Sequence, residues 1–140
     1  MMNYKIKECM MLSIIFVAWV LLMYVAYLEL YPFEPLTINN IELMTSRVRA
    51  GDNLLVEVDV CKNLAYPSTI SKYMEDGLIY GLPSFTTNSE VGCKKYVTAT
   101  EIPTTLPPGI YKLHVVYSYH IGFRDVRVEY ETEDFEVIAR

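Results

Sequence analysis

No charged side chain occurs between Met10 and Leu28. A helix over these 19 residues, at about 1.5 Å of rise each, is close to the ~30 Å hydrocarbon core of a bilayer. The absence argues against a buried core helix in a chain of this size. We expect one transmembrane helix, assigned to residues 10–31. Basic residues are also unevenly placed. Lys5 and Lys7 precede the apolar run, whereas Glu29 and Glu34 follow it. By the positive-inside rule residues 1–9 form a cytoplasmic head and residue 29 onward lies outside. A signal-peptidase site needs small residues two apart, but Tyr24 stands two before Ala26. The expectation is an uncleaved signal anchor. Tyr24, Tyr27, Tyr31 and Phe33 cluster at its outer end, where aromatic rings suit the headgroup layer. Trp19 lies mid-span without water for its indole N–H, which makes it a candidate helix contact.

Beyond the anchor, positive charge is scarce. Residues 32–140 carry fifteen Asp and Glu against ten Lys and Arg, a net charge of −5. Nucleic-acid partners need a basic face, and electrostatic adhesion to anionic lipid needs the same, so the acidic balance argues against both. Cysteine occurs three times. Cys9 lies on the inner side, while Cys61 and Cys93 lie outside, where disulfides persist. Two outer cysteines allow one pairing. The competing reading, a metal site, needs about four ligands, and no other cysteine or histidine lies near either in sequence. No Asn-x-Ser/Thr acceptor occurs, so the outer segment need not carry N-linked sugar. With the short basic head this favours a bacterial envelope, or a phage product placed there, and a periplasmic or extracellular domain.

Catalytic signatures are equally sparse. His114 and His120 are the two histidines. Six residues apart on one strand, they stand ~20 Å from each other, too far to share a metal or a proton, and both are expected on the solvent face. There is no Gly-x-Ser-x-Gly elbow and no calcium-loop pattern. Glu129, Glu131, Glu133, Asp134 and Glu136 are interleaved with Tyr130 and Phe135, as on an exposed strand. The expectation is a chain that is not an enzyme and has no cofactor and no metal.

What the outer segment has in abundance is period-two alternation. "YPFEPLT" carries Pro32 and Pro35, which stop the helix and hold residues 32–36 extended as a short linker. "TINNIELM" is a first strand, and "RAGD" a turn around Gly51. In "NLLVEVDVCKN", Leu54, Val56, Val58 and Val60 share one face. "STISKYM" and "GLIYGLP" are shorter strands. "CKKYVTATEI" places Tyr96, Thr98, Thr100 and Ile102 together, and "IYKLHVVYSYH" is the strongest strand. "DVRVEYETEDFEVI" slips phase: Val126, Val128 and Tyr130 are even-numbered, Phe135 and Val137 odd. A bulge near Thr132 to Asp134 reconciles the two. About seven strands with regular turns predict an all-β, antiparallel sandwich over residues 37–140.

The stretch Pro107, Pro108, Gly109, Tyr111, Leu113, Val115 resembles the penultimate strand of immunoglobulin-like and fibronectin type III-like domains, where a Pro-Gly turn leads into Tyr-x-Leu-x-Val. The resemblance implies an immunoglobulin-like β-sandwich with Tyr111 at a corner, its hydroxyl on backbone. It departs from antibody-type domains in having no Trp in the outer segment and no cysteine pair across the sheets. Instead the resemblance makes the strands of Cys61 and Cys93 antiparallel neighbours, so that the bond clips one sheet at its surface, flanked by Lys62, Lys94 and Lys95.

Residues 64–91 are rich in aromatics for a connecting region. Tyr66, Tyr73, Met74, Tyr80 and Phe85 are the candidate interaction residues, since Tyr offers contact area with few rotors. The functional expectation is a membrane-anchored binding module that docks a protein or envelope component near the membrane. The alternatives are an accessory subunit of a larger membrane complex and a phage-encoded host-envelope protein such as a superinfection-exclusion factor.

Overall fold

The computed structural model describes residues 4–140. Residues 1–3 of the expected cytoplasmic head lie outside the described residues. The chain divides into two units, one holding the N-terminal helix through Phe33 together with Ile121–Arg124, the other holding Glu34–His120 and Asp125–Arg140.

In the first unit, helix α1 (Tyr4–Leu30) begins before the apolar run and buries none of its residues. It is long and apolar enough to cross a membrane. A helix apolar on every side has no water-facing stripe, and Trp19 is exposed on it. Pro32 disfavours helical backbone at Tyr31, and α1 stops there. Its last carbonyls are not left bare. The guanidinium of Arg124 donates to the carbonyls of Glu29 and Tyr31 and lies 5.5 Å over the Phe33 ring. A cation at this end also suits the helix dipole. The aromatic cluster is packed, with Tyr27 and Tyr31 rings 5.0 Å apart and Tyr31 and Phe33 4.9 Å apart.

The second unit is built of strands. One sheet has the order β1 (Leu36–Leu43), β3 (Asn53–Lys62), β7 (Gly92–Glu101). The other is β2 (Arg47–Arg49), β10 (Phe135–Ile138), β8 (Gly109–Ile121), β4 (Ser68–Glu75), β5 (Ile79–Gly81), with β6 (Phe85–Thr87) also on β4 and β9 (Arg124–Glu131) on β8. Pairings are antiparallel apart from β2 with β10. Two open sheets, each with a buried face, are consistent with a β-sandwich. Leu54, Val56, Val58 and Val60 are buried from β3, and Tyr111, Leu113, Val115 and Tyr117 from β8. All-apolar parity on facing strands is what drives the two faces together.

The strands foreseen from alternation are present. Strands β2 and β6 were not foreseen, because each carries a single apolar residue, Val48 or Phe85, and so shows no period. The last stretch splits into β9 and β10 where the phase slips. There Thr132 is buried, its backbone N–H donates to Leu113 O (3.0 Å), and its hydroxyl accepts from Leu113 N–H (3.1 Å). The side chain thus takes a ladder position that the backbone vacates. Gly51 sits at φ +95° in the turn before β3, a conformation that glycine adopts without strain.

Cys61 and Cys93 are direct register partners on β3 and β7 and are joined by a disulfide. The expected flanking of this bond by three surface lysines needs correction. Lys95 lies on the outer face, paired with Glu57 at 2.8 Å. Lys62 and Lys94 share the parity of Val60 and face inward.

Tyr111 is fully buried, and its hydroxyl donates to Pro107 O at 2.8 Å. A side chain at Gly109 would crowd the Tyr111 ring at 3.3 Å. Burial, reinforced by Asp76, pushes this hydroxyl up to about 12. Free tyrosines ionise near 10. Above that value the unfolded chain sheds a proton that the folded chain keeps, so stability falls as pH rises from about 10 to about 12. The melting temperature of wild type should drop across this window. Tyr111→Phe should lose about 1 kcal/mol at neutral pH and show a shallower alkaline decline. An equally steep decline in the variant would contradict this account of Tyr111.

Candidate functional site: a cleft between the sheets

The three-stranded sheet is too narrow to cover the other. Among the described residues it has no further strand beyond β7, so the inward-facing Lys94 and Tyr96 remain exposed. The result is a cleft of about 340 Å³ between the sheets, a size typical of small-ligand sites. One wall is Val60 and Lys62 of β3 with Lys94, Tyr96 and Thr98 of β7. The facing wall is Ile70 and Lys72 of β4, Phe85 of β6, and Val115, Tyr117 and Tyr119 of β8. Tyr130 of β9 and the segment carrying Ser89 and Glu90 complete it.

The tyrosines form a connected group. Tyr96 and Tyr117 hydroxyls are 3.1 Å apart, and the Tyr117 and Tyr130 rings lie 6.2 Å apart. Burial raises the Tyr117, Tyr119 and Tyr130 hydroxyls above the ordinary tyrosine value. They are therefore neutral phenols at physiological pH, able to donate and accept hydrogen bonds.

The lysines are unusual for their lack of acids. Lys62 is only 5% exposed, and its ammonium donates to Ser89 O at 2.6 Å. Lys72 donates to the Thr100 hydroxyl at 3.0 Å and lies 5.7 Å from the centre of the Phe85 ring. Burial lowers its pKa. Among the described residues, none of Lys62, Lys72 and Lys94 pairs with a carboxylate, whereas Lys95 and Lys112 on the outer faces do. The cleft is thus locally cationic in an acidic domain, with Glu90 as the one acid on its lining.

Of the five candidate interaction residues, Phe85 alone reaches the cleft, half exposed at its mouth. Tyr66 is partly exposed in the connection before β4. Tyr73 stacks on His114, centroids 4.7 Å apart. Tyr80 meets Tyr111 edge-on at 5.8 Å. Met74 requires correction. It is 0% exposed and in register with Leu113, so it fills the core and offers no surface to a partner. Trp19 lies on α1, in the other unit. His120 is exposed beside Asp125, but His114 is largely covered, with Glu75 at 3.1 Å as well as the Tyr73 stack. It faces outward as expected, yet it is no plain surface histidine.

The cleft lysines were missed by sequence reasoning, although a signal existed. Lys62 continues the parity of Val58 and Val60, Lys72 that of Ile70 and Met74, and Lys94 that of Tyr96 and Thr98. Each is a charge in phase with a buried row.

No protein-family model matches the chain, and no curated protein matches it. Among solved structures, a beta-glucosidase from Listeria innocua is similar in its complexes with glucose and with isofagomine. Both have a TM-score of 0.40, with 15% and 12% sequence identity. The matches cover 73% and 75% of this chain but only 15% and 16% of that one, so this chain spans about a sixth of the enzyme's length. The expectation that the chain is not an enzyme is corrected by this finding and is withdrawn. At a TM-score of 0.40, the likeness assigns no activity in its place.

Proposed function

We propose that this protein is a membrane-anchored binding module whose inter-sheet cleft docks a protein or envelope component. In this reading α1 is the anchor, with its N-terminus cytoplasmic, and the strand unit is an immunoglobulin-like sandwich outside the membrane. The Tyr111–Pro107 hydrogen bond, at the start of the strand that resembles a penultimate immunoglobulin strand, supports the fold assignment. The disulfide supports an oxidising location. The observation that carries the binding function is the cleft itself, an aromatic, cationic cavity left open beside an unpaired strand edge.

In-cell photo-crosslinking tests it. A benzophenone side chain replacing Phe85, at the cleft mouth, should yield a discrete adduct. The same group replacing the exposed Ile110 should not. Equal adducts from both positions, or none from either, would remove the cleft as the docking site.

A further inference from the structure

We propose that the cleft takes a small anionic amphiphile, with one carboxylate or phosphate held by Lys62 and Lys94 and an apolar body lying against Tyr96, Tyr117 and Phe85. The proposal rests on the reading of the cleft as a binding site and names the chemistry of its occupant.

Three observations converge. The first is charge. The outer segment has five more acids than bases, yet the three inward-facing lysines have neutral partners or none, namely Ser89 O and the Thr100 hydroxyl. A buried ammonium without a counter-charge is costly, and an anion entering the cleft offsets that cost. The second is placement. Lys62 is in register with Gly92, two residues from Lys94 on β7. Diagonal neighbours on one face of an antiparallel pair lie roughly 7–8 Å apart, within the reach of two lysine stems closing on one anion. The third is size and lining. At the ~30 Å³ that one water occupies in the liquid, 340 Å³ holds about eleven non-hydrogen atoms. Beyond the lysines the walls are mainly aromatic and aliphatic, with Ser68, Thr87, Ser89, Thr98 and Glu90 among them, and of the paired Tyr96 and Tyr117 hydroxyls one keeps its O–H free for an acceptor.

The test uses the full chain in a neutral detergent, with tyrosine rings labelled for NMR. The probes are 4-phenylbutyrate and phenyl phosphate, against 4-phenylbutylamine and 4-phenylbutanol. The anions should shift the Tyr96 and Tyr117 rings saturably, and bind at least about tenfold more tightly than the amine or the alcohol, as for hydrogen bonds to a charged group. Tighter binding of the carboxylate would assign a free organic acid, and of the phosphate a phosphate ester. Lys94→Met, at an exposed position, should weaken anion binding about tenfold. Lys95→Met, one residue away on the outer face, should leave it unchanged. Amine or alcohol binding as tight as that of the anions would overturn the anionic occupant while leaving the cleft a binding site. A cleft that no probe perturbs would overturn the occupant, and with no adduct from position 85 it would overturn the binding site too. Equal effects of Lys94→Met and Lys95→Met would likewise sink the anion assignment.

Discussion

Replacing Cys61 and Cys93 together by alanine should lower the stability of the strand unit by about 3–4 kcal/mol. The bond closes a loop with a sequence separation of 32 residues, and restricting such a loop in the unfolded chain is worth that much in the chain-entropy model. For a domain of this size the loss corresponds to a fall in melting temperature on the order of 15 °C. The position of the bond makes the effect specific. It ties β3 to β7, and among the described residues β7 has no strand on its other side. Without the bond, the end of β7 that carries Lys94 is held only by its ladder to β3. The loss should therefore appear first as faster amide exchange at residues 92–96, and then as the fall in melting temperature. Unchanged melting in the double variant would show that the native strand pairing needs no covalent help.

Met74→Ala should cost about 2–5 kcal/mol, the usual range for emptying a buried methionine site. The side chain has no exposed surface and stands opposite Leu113 in the β4–β8 ladder. The residue before it, Tyr73, lies on the other face against His114. Tyr73→Ala removes a partly exposed stacking contact worth about 1 kcal/mol. Urea denaturation of the two variants separates core from surface along one strand. Near-equal midpoints would mean that the face assignment of β4 is wrong.

These neighbours illustrate what was legible in the chain. Alternation placed β3, β4, β7 and β8 and identified the buried rows of β3 and β8, because a single period decides which residues share a face. The phase slip after Tyr130 was visible for the same reason, and the structure breaks the strand there. Met74 was misassigned because its aromatic neighbours drew the whole region toward the surface, although its parity with Ile70 pointed inward. Lysines 62, 72 and 94 were overlooked because charge was taken to mean solvent. The cleft itself was not legible. It exists because β7 lacks an outer neighbour, and strand order is set by contacts between distant parts of the chain. Local pattern can say which face of β7 turns inward, but not that nothing covers it.

The claim that the cleft is a binding site is tested most directly by native mass spectrometry of the full chain, released from its own membrane in neutral detergent. Wild type should carry a discrete extra mass. Thr98→Trp, which fills the cleft from an inward-facing position on β7, should fly as the bare chain while melting close to wild type. A bare wild-type chain, or an adduct that survives Thr98→Trp, would contradict the account.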